Sequence, residues 1–326
     1  MSRFPSMKAF AAAALAALIA TAAPAAEKLT YLFPAPDFLP AFTPYQVAKA
    51  KGYYTDAGID VTFQVGKGGA DVAKQVALGN VEMGSGIGDT PIIVRANGLP
   101  VKAVALLGGK ALTQIIIRTE SGATDIASLR GKRIGVMAFQ DTTYYNLLAA
   151  LAAAGLSRDD VDIQAVGPAG VVQLMISGDL DAISGTPDWA AAIEGAGVAL
   201  EVKTINDYIP AMAQAVLASD STIEDKPELV RGFVAATLHG LSDVMEDPKG
   251  SAELLAKTLP QFEGKAAMLE DIMKRYTELV YAVPEGTKLG VFDPERIAAV
   301  QDFYAEHEII TSTTPVEDLY TNAFVE

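Results

Sequence analysis

Cysteine is absent from all 326 residues, tryptophan occurs once, at Trp189, and histidine twice, at His239 and His307. Without cysteine there is no disulfide, no thiol nucleophile and no lipid-anchor site, so stability must come from the core. A chain of this length can bury a large core, divided between two domains. No Gly-x-Ser-x-Gly elbow and no metal-ligand cluster can be read from the sequence, and both histidines fall in its helical C-terminal part. Aspartate and glutamate remain as acid and base, but nothing marks them as catalytic, so the expectation is a protein that is not an enzyme and carries no cofactor or metal. Basic residues are also scarce: 25 against 40 acids, a formal net charge of −15. That balance argues against nucleic acid or an anionic membrane surface as a partner, while leaving a small ligand open, because a small ligand responds to the local field.

Long apolar runs are lacking too, apart from one at the start. Arg3 and Lys8 precede "AFAAAALAALIATAA", which ends in "APAAEKL". A basic start, a short apolar stretch and small residues before a polar chain describe a secretory signal over residues 1–25, too short to span a bilayer comfortably. Cleavage is expected after Ala25 or Ala26. Removing Arg3 and Lys8 leaves 23 bases against 40 acids, a net of −17. The expected product is a soluble, monomeric, periplasmic protein.

From Leu29 the chain alternates strand-like and helix-like stretches. "LTYLF" leads through "PAPDFLPAFTP" to "YQVAKAKGYYTDAG"; "IDVTFQV" leads through "GKGG" to "ADVAKQVALG"; "VEMGSG", "PIIVRANG" and "VKAVALLGG" follow. That order predicts an α/β domain around a largely parallel sheet. The plan restarts near Asp125 with "SLRGKRIGVMAF" and "QDTTYYNLLAALAAAGL". At an offset of ninety-nine residues Gly68 meets Gly167, Gly79 meets Gly178, Ser85 meets Ser184, Gly86 meets Gly185 and Asp89 meets Asp188. The same Ser-Gly-x-x-Asp turn is thus written twice, which predicts two related lobes. Beyond Ser221 the apolar spacing is helical, and these helices are expected to pack back on the first lobe. The expected domains are residues 26–118 with 219–326 for lobe 1, and 119–218 for lobe 2. Two crossings, near Thr119 and near Ser219, would make a hinge.

The stretches "PYQVAKAKGYYTDAGIDVTF", "GKGGADVAKQVALGNVEMGSG" and "LRGKRIGV" resemble the substrate-binding proteins of ABC importers. The subgroup they resemble handles taurine, nitrate, sulfonates and thiamine-pyrimidine precursors (NMT1/THI5-like), and the pieces occur in its order and separations over nearly all of the mature chain. The resemblance implies a bilobal, flytrap-like α/β fold of the type II periplasmic-binding-protein kind. It also implies a solute delivered to an ABC permease and its ATPase. The same subgroup resembles a eukaryotic pyrimidine-precursor synthase whose activity needs a cysteine cluster, which this sequence lacks entirely.

In open α/β sheets, ligands sit beyond the carboxyl ends of strands, against helix N-termini. Four stretches meet that description. In "PAPDFLP", Asp37 and Phe38 read either as an acceptor and a stacking ring or as a solvated Asp beside a core Phe. In "GKGGAD", Gly68 and Gly69 read either as a loop that lets backbone N–H groups approach a ligand or as a simple turn. Ser85, Asp89 and Thr90 read as ligand contacts or, for the last two, as helix caps, and their repeat counterpart pairs Asp188 with Trp189, a ring floor or a core residue. In "AFQDTTYY", Gln140, Asp141, Thr142 and Tyr144 stand at a helix start, where Asp141 or Thr142 can cap. Asp37, Asp89, Asp141 and Asp188, against a single base, Lys67, in these stretches disfavour an anion in a closed, low-dielectric cleft. A donor-rich nitrogen heterocycle such as an aminopyrimidine is the first expectation. Alternatives are a sulfonate, taurine or nitrate ligand, or a sensory binding protein that reports to a receptor. N-terminal sequencing of the exported protein is expected to find Ala26 or Glu27 first; retention of the leader in washed membranes would overturn the secretory reading.

Overall fold

The structure, a computed structural model, describes residues 26–325. The expected signal peptide, residues 1–25, lies outside the described residues. Ten strands form two five-stranded sheets. In chain order they are β1 Glu27–Phe33, β2 Ile59–Val65, β3 Met83–Ile87, β4 Val101–Leu106, β5 Gln114–Arg118, β6 Arg133–Val136, β7 Asp162–Ala165, β8 Ala182–Gly185, β9 Leu200–Thr204 and β10 Gln214–Ser219. The first sheet runs β2-β1-β3-β10-β4 and the second β7-β6-β8-β5-β9. These are the two lobes of a bilobal α/β fold.

Each sheet is mixed rather than largely parallel. In the first, β1 pairs in parallel with β2 and β3, while β10 lies antiparallel between β3 and β4. In the second, β6 pairs in parallel with β7 and β8, and β5 is the antiparallel insert between β8 and β9. The inserted strand is in each case the first one after a crossing, so each lobe's sheet is completed by chain arriving from the other lobe. The crossings therefore lie between Leu106 and Gln114 and between Thr204 and Gln214, upstream of the positions near Thr119 and Ser219 read from the sequence. The reason is visible in β10: all six residues of "QAVLAS" are buried, as an interior strand covered on both faces requires. Pattern alone cannot say which of two adjacent sheets such a strand completes.

The long helix Pro227–Glu246 packs on helix Thr43–Ala50 of the first lobe. Gly240 makes that approach possible, since a Cβ there would sit 2.3 Å from the Pro44 carbonyl oxygen. Beneath the first sheet, Tyr31 stacks on Phe233 with ring centroids 4.6 Å apart, and Tyr54 stacks on the same phenylalanine at 5.0 Å. Such buried aromatic pairs contribute about 0.5–1.5 kcal/mol each beyond their area. They fix the wall from which β1 and β3 present their carboxyl ends.

A third element secures the crossings. Arg296, in helix Pro294–Glu306, donates to the carbonyl of Gly109 in the first crossing at 2.6 Å and of Pro210 in the second at 2.9 Å, and also to the Ala211 carbonyl. One planar guanidinium thus ties both connecting segments to a lobe 1 helix, a geometry that lysine cannot reproduce. Arg296→Ala is expected to lower unfolding stability by about 2–3 kcal/mol, because carbonyls bonded to a charged donor lose their partner. Arg296→Lys should recover less than half of that in urea titrations. Wild-type stability in both variants would show the clamp to be incidental.

Candidate ligand cleft between the lobes

The carboxyl ends of the strands face one another across the cleft, and the loops that follow them meet there. Lobe 1 contributes Pro34 and Ala35 after β1, then Leu39, Ala41 and Phe42, Gly69, the β3 residues Ser85, Gly86 and Ile87, and Gln214 at the start of β10. Lobe 2 contributes Met137, Asp141, Thr142, Thr143, Thr186, Asp188 and Trp189, with Leu112 added from the first crossing. Apolar and aromatic side chains make most of the wall, and among the described residues no lysine, arginine or histidine lines it.

The lobes are closed. Ala70 N–H donates to the Gln140 carbonyl at 2.9 Å, Gly69 N–H to Asp141 Oδ2 at 3.2 Å, and the Thr90 and Thr142 hydroxyls pair at 2.9 Å. Gly68 is the residue this zipper depends on. Its φ of +98° is open only to glycine in practice, and a Cβ would sit 2.7 Å from the Gln140 carbonyl oxygen of the other lobe. The cavity left inside is about 50 Å³, room for a few waters. Small-molecule sites span ~300–1,000 Å³, so admitting such a ligand requires the zipper to part.

The three aspartates of these turns are buried and differ in role. Asp89 lies outside the cavity wall. It accepts from Asn146 Nδ2 of lobe 2 at 2.6 Å, from the Tyr304 hydroxyl at 2.9 Å and from Met212 N–H of the second crossing at 3.1 Å. It makes no cap bond to the helix that follows. Asp141 is a true N-cap, accepting from Thr143 N–H at 3.0 Å, and still lines the cavity. Asp188 accepts from the Thr186 hydroxyl at 2.6 Å and the Tyr276 hydroxyl at 2.7 Å, both on Oδ1. Burial pushes all three carboxyls above their ordinary range, and the hydrogen bonds they accept offset only part of that.

Of the residues picked from sequence, the structure brings Gly69, Ser85, Asp141, Thr142, Asp188 and Trp189 to one cavity. It places Asp37, Phe38, Gly68, Asp89, Thr90, Gln140 and Tyr144 off the wall. Asp37 holds Gln46 Nε2 through its carbonyl at 2.8 Å, and Phe38 is exposed, so neither reaches inward. Gln140 is exposed and contributes its backbone, and Thr90 accepts from Ile87 N–H at 3.0 Å besides pairing with Thr142. Tyr144 is buried edge-on against Phe139, their centroids 5.2 Å apart, which takes its ring off the cavity wall. The sequence reading missed Phe42, Met137, Leu112 and Gln214. Gln214 had a signal: it is the one amide in an otherwise small and apolar strand.

The family described as NMT1/THI5 like matches residues 39–251, and the chain belongs to it. The riboflavin-binding protein RibY of Chloroflexus aurantiacus is 30% identical over 327 aligned positions, covering 97% of this chain and 91% of RibY. The taurine-binding periplasmic protein of Escherichia coli is 27% identical, over 63% of this chain and 64% of that protein. Among solved structures, the alkanesulfonate-binding protein SsuA from Xanthomonas axonopodis pv. citri, bound to MOPS, superposes with a TM-score of 0.70 at 18% identity, covering 91% of this chain and 98% of that one. That last likeness establishes the fold. Together, these matches define a substrate-binding protein of the ABC importer family.

Asp188 gives a clean test of the electrostatics. The side-chain carbonyl of an asparagine at this position can accept both hydroxyls that now meet Oδ1, so Asp188→Asn removes a buried charge and keeps the bonds. A carboxyl whose folded pKa is raised stabilises fully below its unfolded pKa, and that contribution is lost as pH rises through the folded value. The variant's melting temperature at pH 7 should therefore equal or exceed that of the wild type. The gap should narrow as pH falls toward the ordinary carboxylate range. A variant several degrees less stable at pH 7 would show that the ionised form holds the fold.

Proposed function

We propose that this protein captures a flat, uncharged nitrogen heterocycle between its lobes in the periplasm and delivers it to an ABC permease. The observation that carries this reading is the composition of the cavity wall: apolar and aromatic faces, two buried carboxylates and no cationic side chain. A ring buries well against Phe42, Met137 and Trp189, and Asp141 and Asp188 favour N–H donors over anions. A sulfonate or nitrate would meet two carboxylates in a closed, low-dielectric space with no cation to offset them. The full-length likeness to a riboflavin-binding protein supports the flavin ring system, beside the aminopyrimidines, as members of this class.

A binding role, not catalysis, is part of the proposal. The synthase chemistry needs cysteine, and this sequence has none. The protein acts as a monomer in this reading, with the two crossings as its hinge.

Thermal-shift measurements should separate the ligand classes. Riboflavin or 4-amino-5-hydroxymethyl-2-methylpyrimidine is expected to raise the melting temperature, by about 2.7 kcal/mol of stabilisation at a hundredfold excess over Kd. Taurine, MOPS and nitrate are expected to leave it unchanged. A shift with the anions alone would overturn the heterocycle reading. Small-angle scattering of the riboflavin- or pyrimidine-bound form against the free protein would then report how the lobes move on binding.

A further inference from the structure

Two polar side chains on the lobe 1 wall are buried without a partner. Gln214 is 3% exposed and Ser85 fully buried, and both line the cavity. Among the described residues, Gln214 Oε1 and Ser85 Oγ accept or donate no hydrogen bond. Ser85 Oγ lies close enough to both hydroxyls of the Tyr31–Tyr45 pair, themselves bonded at 3.0 Å, to favour their ionised forms, but makes no bond of normal geometry to either.

The two belong to adjacent strands. Gln214 pairs with Ile87 across the antiparallel β10–β3 ladder, and Ser85 lies two residues from Ile87 on the same face. Along β10, Ala215, Val216, Leu217 and Ala218 are all apolar and buried, so leucine would suit position 214 by packing alone. A buried amide oxygen there that finds no partner destabilises the fold, and the cavity is the space its partner would occupy.

We infer that Gln214, with Ser85 beside it, reads the hydrogen-bonding edge of the bound ring. A carboxamide presents a donor and an acceptor side by side, and a serine hydroxyl is both. The ring edge that matches carries an N–H donor next to an acceptor. A lactam or imide of a flavin and the amino-substituted edge of an aminopyrimidine share this chemistry. The inference rests on the heterocycle reading above and deepens it: the wall of Phe42, Met137 and Trp189 selects flatness, and Gln214 selects which flat molecule is held. It is a specificity-determining residue that the sequence reading missed.

The test pairs a change in the protein with a change in the ligand. Calorimetry would compare wild type, Gln214→Leu and Ser85→Ala with riboflavin and with 4-amino-5-hydroxymethyl-2-methylpyrimidine. Each parent would be run beside an analogue lacking the donor, 3-methylriboflavin and the 4-dimethylamino pyrimidine, and the parent that binds more tightly is decisive. Gln214→Leu is expected to weaken the parent roughly 10- to 100-fold, with Ser85→Ala weakening it less. The unliganded melting temperature of Gln214→Leu should be unchanged or higher. Wild type should discriminate against the methylated analogue by a similar factor, and Gln214→Leu should not. Binding within twofold by Gln214→Leu, or no discrimination by wild type, overturns the inference while leaving the heterocycle reading intact. Should Gln214→Leu fail to fold, the wild-type discrimination decides alone. If wild type binds neither parent but binds taurine or MOPS, the heterocycle reading falls and this inference falls with it.

Discussion

A carboxylate buried where four parts of the chain meet is the constraint on which the closed form depends. Asp89 receives Asn146 from lobe 2, Tyr304 from a C-terminal helix and the backbone of Met212 in the second crossing. Asn146 in turn accepts from the Thr113 hydroxyl, just before β5, at 2.6 Å. Both lobes and both crossings therefore meet at one pair of side chains, Asp89 and Asn146. A buried carboxylate is stable only while its donors stay in place, so moving one lobe against the other means giving up a charged hydrogen bond at the hinge. The glycine zipper at the mouth adds weaker, backbone-level contacts to the same closure.

The repeated turn shows how a duplicated plan acquires two jobs. Asp89 and Asp188 stand at equivalent points of the two lobes, after β3 and β8, and each is met by a tyrosine hydroxyl from the C-terminal helices, Tyr304 at 2.9 Å and Tyr276 at 2.7 Å. Those helices pack chiefly on lobe 1, which breaks the symmetry between the halves. Asp89 is sealed into the hinge, whereas Asp188 keeps its place on the cavity wall. Chemistry alike in sequence has become a structural strut on one side and a cavity-lining acid on the other. Asp89 stands at the N-cap of its helix but gives its oxygens to Asn146, Tyr304 and Met212, whereas Asp188 lies inside the first turn of a helix whose N-cap is Thr186.

The cavity wall follows from the same economy. A site without cations and with two carboxylates is hostile to small anions, yet it provides little attraction for a ring unless the polar edge of that ring is matched. The orphaned Gln214 and Ser85 lie where that edge would be met. Trp189, the sole tryptophan, is part of the wall and only 7% exposed, so one ring packs in the core and lines the cavity.

By itself the sequence determined the two-lobe α/β plan, the recurrence of the acidic turn and the family. These rest on local signals: strand and helix periods, glycine turns and small residues at helix starts, all written within ten or twenty residues of one another. It also marked Gly69, Ser85, Asp141, Thr142, Asp188 and Trp189, because a strand end followed by a helix start places its residues at the cleft whatever the rest of the chain does. Only the tertiary structure decided that β5 and β10 each complete the sheet entered after a crossing, since an all-buried strand carries no mark of its neighbours. It alone separated Asp89 from Asp188, because the difference is made by Asn146 and Tyr304, 57 and 215 residues away. And it alone gave Gln214 a meaning: whether a buried amide is satisfied depends on which atoms surround it, and those come from strands and loops far apart in the chain.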